Sequence, residues 1–472
     1  MKNITLNRLP FLFMGLLSGA TCLFSCQRLI EIPGPPSAIT QTQQFTDSAT
    51  ALSAIAGVYS YTTSNGFPYT DGRLTYITAL SADELTTTVV NDNQQFFNYS
   101  LTPMNAGVAS LWQHAYQSIY QVNAVIAGVT DNAKLSESFR QQVSGEMKVV
   151  RALYYFNLVN QFGGVPLILS TDYNLTKRLP RNTAAEVYAQ VIQDLTEARS
   201  LLTAAYPSQG KARPNLYVAT ALLSKVNLYM ENWQAAYNEA DSVIRLGGYE
   251  LETENLNNVF LDGSKEAIWQ IPAEQPFTSG AADAQSFIPY YDGMIPNYLI
   301  SEDLLSAFES GDKRKDSWLA PTTVSLNGSS QTVYYPFKYK NRQVTATSVE
   351  DQMILRLSEL YLIRAEAAAH LNNGTQALED VDAIRARAGL LPSTASAGDQ
   401  QQVLAAVMLQ RQTELFCEWG NRWYDLKRTG LASEVLGQEK TGFTDNAALY
   451  PIPQAQREAN TTLEQNPGYD SN

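Results

Sequence analysis

Acidic, basic and indole side chains crowd the run RQTELFCEWGNRWYDLKRTG at 411–430, where Glu414, Glu418 and Asp425 are the candidates for acid/base chemistry. Such chemistry needs a group within hydrogen-bond reach of a reacting atom, and the run supplies no nucleophile, base and orienting group together. Read as a helix, it sets Arg411 one turn from Glu414 and Glu418 one turn from Arg422, among Trp419 and Trp423. The expectation is therefore paired charges capping a hydrophobic core. A glycoside hydrolase would need two carboxylates facing across a cleft; Asp83 or Glu84 with Asp303 are available, but the sequence gives no reason for them to meet. His114 and His370 are the only histidines, both in helical segments without a cysteine cluster, so no metal site and no cofactor are expected. No Asp-rich loop has calcium spacing, and Gly163-Gly164 reads as a helix stop, not a phosphate cradle.

The elements that position these residues are mostly helices. Residues 353–370, MILRLSELYLIRAEAAAH, lack Gly and Pro and are apolar around most of the wheel, which predicts a helix buried nearly all round. A second helix follows over 375–388, with Ala377, Leu378, Val381, Ile384 and Ala388 on one face and Gly389 as its stop. Two helices joined by a short polar turn form a hairpin of tetratricopeptide type. The run from Ala221 repeats the plan of the run from Ile363: helix, Asn-bearing turn, Gln-Ala, second helix, Gly. Further helices are expected over 47–59, 111–129, 138–162, 184–205 and 214–229, with Asp47 and Thr183 as caps. The fold class is mainly α: about four tetratricopeptide-like hairpins that bury their apolar faces by stacking, carrying a loop-rich lobe with little strand. Tyr154, Tyr155, Phe156 and Phe162 are assigned to the core. Cys417 is assigned to an apolar helix face.

Residues 1–25 read as a removable export signal, with Lys2 and Arg8 ahead of an apolar run at 11–24. Leu23-Phe24-Ser25-Cys26 has the small residue before Cys that lipoprotein processing requires, so Cys26 is the expected lipidation site, its diacylglyceryl group being the sole membrane attachment. Residues 26–46 form a Pro-rich tether, and the folded body spans 47–472. Cys22, Cys26 and Cys417 are the only cysteines, leaving no pair for a structural disulfide. The chain carries a net charge of −13, which becomes −15 once a leader with two basic and no acidic residues is removed. That balance argues against nucleic acid and anionic lipid as ligands.

A loop-rich insertion lies near 251–341, with one expected strand at 267–271. It holds Phe277, Phe287, Tyr290, Tyr291, Tyr298 and Trp318, and the stretch 61–104, read as irregular, adds Tyr69, Tyr76, Phe96, Phe97 and Tyr99. Aromatic rings on loops carried by a rigid scaffold suit ligand capture.

The chain resembles the SusD/RagB family of nutrient-binding surface lipoproteins. The resemblance is carried by LFSC at 23–26, RALYYFNLVNQFGGVPL at 151–167, LRLSELYLIRAEA at 355–367, the run at 411–430 and LYPIPQAQREANTTLEQNPGY at 449–469. It implies four helical hairpins with a loop-rich lobe, and a lipid on Cys26 at the outer membrane, facing outwards from a Gram-negative cell. It further implies binding of glycan, or in some relatives peptide, for a TonB-dependent SusC-like transporter that the lipoprotein closes as a lid, without enzymatic activity. Family members recognise sugar through aromatic rings on a pyranose C–H face, with amides and carboxylates on the hydroxyls. The corresponding loops vary, so the candidates come from composition alone: Tyr69, Phe96, Phe97, Tyr99, Tyr290, Tyr291 and Trp318, with Asp83 and Asn98 as polar partners.

Overall fold

The computed structural model describes residues 44–63, 72–272, 280–291, 293–326, 329–342 and 349–469. The segment read as an export signal, Cys26, most of the expected tether, Tyr69 and Phe277 lie outside the described residues.

The chain opens with α1 (Ser48–Thr63) and α2 (Arg73–Ser81), the short strand β1 (Leu85–Thr87) and α3 (Gln94–Asn98). The stretch read as irregular thus contains two helices and a strand. Thr75, Thr78 and Ser81 are buried on α2, and their hydroxyls mask an otherwise apolar helix in the sequence pattern. The scaffold continues with α4 (Ala106–Val129), α5 (Glu137–Phe162), α6 (Ala184–Leu201), α7 (Leu216–Tyr229) and α8 (Trp233–Leu246). Thr183 caps α6 through a reciprocal capping box with Glu186. Tyr154, Tyr155, Phe156 and Phe162 are buried, and Phe156 meets Tyr229 edge-on with ring centroids 4.9 Å apart.

The insertion supplies β2 (Ala267–Ile271), α9 (Ala282–Phe287), β3 (Tyr298–Ile300), α10 (Glu302–Ala307), α11 (Lys313–Trp318), β4 (Leu319–Leu326) and β5 (Ser329–Pro336). Strand β6 (Gln352–Arg356) leads back into the scaffold as α12 (Leu357–His370), α13 (Gly374–Arg387), α14 (Gln400–Leu415), α15 (Asn421–Arg428) and α16 (Ala432–Glu439). The helix expected from residue 353 therefore starts at Leu357. The preceding Met-Ile-Leu-Arg, apolar without helical period, pairs antiparallel with β2 and is buried on both faces. The insertion holds more strand than the single one expected: β3 pairs with β1, and 319–326 pairs with 329–336 in regular antiparallel register.

The internal repeat is realised in equal lengths. Helices α7 and α8 have 14 residues each across a three-residue turn, and so do α12 and α13. Glu231 and Asn372 occupy the same turn position, both with left-handed φ, 57° and 60°. The hairpins stack: Trp233 lies flat on His370 at 3.8 Å, and Arg364 of α12 bonds Asp241 of α8 at 2.7 Å and Asp380 of α13 at 2.9 Å. Ala236, Ala240, Ala365, Ala368 and Ala369 are fully buried where the helices approach.

The run at 411–430 is two helices. Cys417, Trp419 and Gly420 all have positive φ, so the chain turns between α14 and α15, and Cys417 sits in this turn, not on a helix face. The turn re-pairs the charges. Arg411 bonds Asp425 at 2.7 Å instead of Glu414, and Arg422 bonds Asp83 at 2.7 Å instead of Glu418. Glu414 receives Arg314 of α11 at 3.2 Å together with Arg356 and Arg387, and Glu418 receives Arg356 at 2.8 Å together with Lys338. Burial alone would raise the Glu414 carboxyl, but Arg387, Arg356 and Arg314 hold it well below the usual range. Burial works against Glu418 and Asp425 too, and Arg356 with Lys338, and Arg411 with Arg428, keep these two low. The cluster ties insertion to scaffold with charged groups that all have partners.

Candidate functional site

Strand β1 joins the two halves of the molecule. It pairs antiparallel with β3, with Leu85 opposite Ile300, Thr86 opposite Leu299 and Thr87 opposite Tyr298. Beyond the strand the Thr88 amide donates to Asn297 O at 3.0 Å and its hydroxyl to Pro296 O at 2.6 Å. The segment 88–98, which ends in α3, and the described residues of 288–297, at least 190 positions apart in sequence, therefore leave the same short sheet side by side.

Tyr298 anchors both. Tyr76 of α2 stacks on it at 4.8 Å, Phe287 of α9 meets it edge-on, and Asn93 donates to its hydroxyl at 3.0 Å. Gly72, with φ 79°, precedes α2 against α9; a Cβ there would lie 2.8 Å from Ala282 O, so only glycine permits this approach. Asn105 secures the other loop: it caps α4 by accepting from Val108 N and donates to Asp92 O at 3.1 Å and Gln95 Oε1 at 3.0 Å.

On this frame Tyr290 and Tyr291 stand out, 76% and 69% exposed. Met294 N donates to Tyr291 O at 3.1 Å, and Gly293 between them has φ 86°, in the left-handed region that favours glycine. Arg342 lies over the Tyr290 ring, 3.9 Å from its centroid. The same guanidinium donates to Gln285 O at 2.7 Å, to Gln285 Oε1 at 3.2 Å and to Ile288 O. One face of Tyr290 is thus covered and the ring is held in place. Val90 (90% exposed), Asn91, Asp92 and Asn98 are exposed on the 88–98 loop, and Ile295 is exposed beside the Tyr290–Tyr291 turn.

The other candidates are placed differently. Trp318 is fully buried, edge-on to Phe260, with its indole N–H donating to Leu256 O at 3.2 Å. Phe96 is fully buried against Tyr450. Both are corrections to the expectation of ligand platforms, since neither presents a ring face to solvent. Asp83 is buried in its ion pair with Arg422 and accepts from Gln412 at 3.3 Å, which leaves it no exposed edge for a hydroxyl. Phe97 and Tyr99 are half-buried: Tyr99 meets Phe443 edge-on and donates to Ser81 O, while Lys440 lies 4.8 Å from the Phe97 ring centroid. Burial lowers the Lys440 ammonium to about 8, and its donor hydrogens go to Leu80 O and Ala82 O.

The sequence pattern does not single out Arg342, which follows Lys338 and Lys340 in a short basic run and whose partner ring lies 52 positions upstream. Tyr76 and Tyr298, grouped in the sequence with the loop aromatics suited to ligand capture, instead stack on each other beneath both segments, which only the β1–β3 pairing reveals. Among the described residues no group of three or more His, Cys, Asp or Glu could hold a metal ion. A separate concavity of about 470 Å³ lies at the turn end of the stacked hairpins, lined by Tyr229, Trp233, His370, Met408 and Arg428 among others. Its Arg428 is committed to Glu366 and Asp425.

The SusD family profile matches residues 285–469, and a profile described as starch-binding, associating with outer membrane, matches 39–228. Two SusD-like proteins of Formosa agariphila are each 24% identical, one over 99% of both chains, the other over 93% of this chain and 95% of its own. A SusD superfamily protein of Bacteroides vulgatus has the same fold, with TM-score 0.78 at 21% identity over 90% of this chain and 100% of that one. A laminarin-binding SusD-like protein superposes with TM-score 0.74 at 27% identity, again over 90% and 100%.

Proposed function

The chain belongs to the SusD family, the two profiles covering its scaffold and most of its second half in order, and from that premise we propose that it is a surface lipoprotein that captures glycan and delivers it to a TonB-dependent SusC-like transporter. The observation that carries the glycan reading is the exposed Tyr290–Tyr291 turn, held by Arg342 on the segment that leads into β3, whose partner strand β1 leads into an amide-rich segment. A tyrosine face buries the C–H face of a pyranose, and an exposed amide such as that of Asn91 carries both donors and acceptors for its hydroxyls. The laminarin-binding relative supports the same ligand class.

Attachment is assigned to acylation of Cys26. Among the described residues no helix is long and apolar enough to cross a membrane. Association with the outer membrane accords with the family matched over 39–228. The family resemblance favours holding a ligand without cleaving it, and Glu414, Glu418 and Asp425 are buried in ion pairs.

Calorimetry of the soluble chain from Gln27 onward, against oligosaccharides and a peptide mixture, tests the reading. Binding of oligosaccharide without new reducing ends is the expected result. Binding of peptide alone overturns the glycan class, and release of reducing ends overturns the assignment as a binding protein.

A further inference from the structure

The geometry points to an uncharged glycan as the ligand of the Tyr290–Tyr291 face, with Arg342 as a positioning residue that locks the platform and not as an anion receptor; this rests on the proposed loop site. The charge inventory of the two loops is one-sided. Residues 88–98 and 288–297 contain Asp92 and Asp292 and no Lys or Arg. Each described cation around them is already committed. Arg342 directs its N–H groups at Gln285 and Ile288 and its face at Tyr290, and Arg73 donates to Ser110 Oγ at 2.7 Å. Arg422 pairs with Asp83, and the Lys440 ammonium is buried among backbone carbonyls.

A uronate or sulfate group arriving here would lose hydration, find these described cations already bonded within the protein and sit under the field of a chain with net charge −13. A neutral sugar meets no such penalty. It gains ring contact with Tyr290 and Tyr291 and hydrogen bonds to amides, all of them insensitive to salt. Arg342 contributes by fixing the Tyr290 ring before the ligand arrives, so that less ordering is needed on binding. That role depends on the planar fork of a guanidinium, which bonds Gln285 and Ile288 while lying flat on the ring; the point charge of a lysine cannot reproduce it.

The test compares neutral glucose hexasaccharides, β-1,3- and α-1,4-linked, with a hexameric oligogalacturonate, each titrated into wild type, Arg342→Gln, Arg342→Lys and Tyr290→Ala at low and moderate salt. Melting temperatures of the variants confirm that each remains folded. The expected result is binding of a neutral hexasaccharide with little salt dependence, weakened about three- to tenfold by Arg342→Gln and Arg342→Lys alike. Oligogalacturonate binding that falls steeply with salt, is lost in Arg342→Gln and survives in Arg342→Lys would overturn the neutral class while leaving the loop site standing. Affinity for a bound glycan that is unchanged in Tyr290→Ala would instead overturn the loop site, and this inference with it. Binding of none of these sugars would count against the glycan reading itself.

Discussion

Tyr290 and Trp318 are both large aromatics of the insertion, and burial separates their roles. Removing the Trp318 ring opens a cavity under Phe260 and frees Leu256 O, so Trp318→Ala is expected to lower unfolding stability by about 3–5 kcal/mol. Tyr290→Ala touches no core contact and should leave denaturant midpoints within error. Glu84 gives the residue scale a pH signature. Burial, then the neighbouring Asp83 carboxylate, raise its pKa to about 8, against the partial relief of Arg422, the Cys417 N–H and Lys338. A carboxyl raised on folding stabilises the native state below its unfolded pKa and loses that contribution as pH rises through the folded value. Glu84→Gln should therefore shrink the stability lost between pH 5 and pH 8, by about 2–4 kcal/mol in denaturant titrations; an unchanged difference would refute the assignment. Residue types could not reveal these distinctions in advance. Tyr290 and Trp318 share composition and loop context, and only the packing of Phe260 and Phe416 around the indole tells them apart.

Among the elements, β1 and the cap of α4 decide whether the loop face exists. Asn105 both caps α4 and holds the 88–98 loop through Asp92 and Gln95, so Asn105→Ala is expected to cost about 1–2 kcal/mol and also to weaken glycan binding. Thr183→Ala breaks the capping box of α6 at a similar cost and should leave binding intact, which separates helix stability from loop support. The helical hairpins were legible because their information is local: a 3.6-residue period, Asn and Gly stops, and a repeat of equal lengths. Strand β6 and the turn at 416–420 were not. The apolar run Met-Ile-Leu fits helix and strand equally, and its partner β2 lies about 85 residues upstream. The positive φ of Cys417 and Trp419 has no signature in those residue types, since neither is a residue that favours a left-handed turn.

At the scale of the whole molecule, the buried charge cluster couples the insertion to the scaffold. Glu414 of α14 serves Arg314 from α11, Arg356 from the end of β6 and Arg387 from the end of α13. Arg314 keeps Asp312, Arg356 keeps Glu418 and Arg387 keeps Glu266, but Glu414→Gln leaves the buried cluster one negative charge short and should cost about 3–5 kcal/mol, seen as a lowered midpoint for the whole chain and not for one lobe. Its charged side chains were visible in the sequence as candidates for chemistry, but their pairing was not, because every partner of Glu414 lies at least 27 residues away. The central claim is that glycan is held on the exposed turn of the insertion where it meets the 88–98 loop. Its most direct test is calorimetric titration of a hexasaccharide bound by the wild type into the folded Tyr290→Ala/Tyr291→Ala variant. The account predicts an affinity at least about tenfold weaker, with an unchanged melting temperature. Equal affinity in the double variant would contradict it and move the site elsewhere on the molecule.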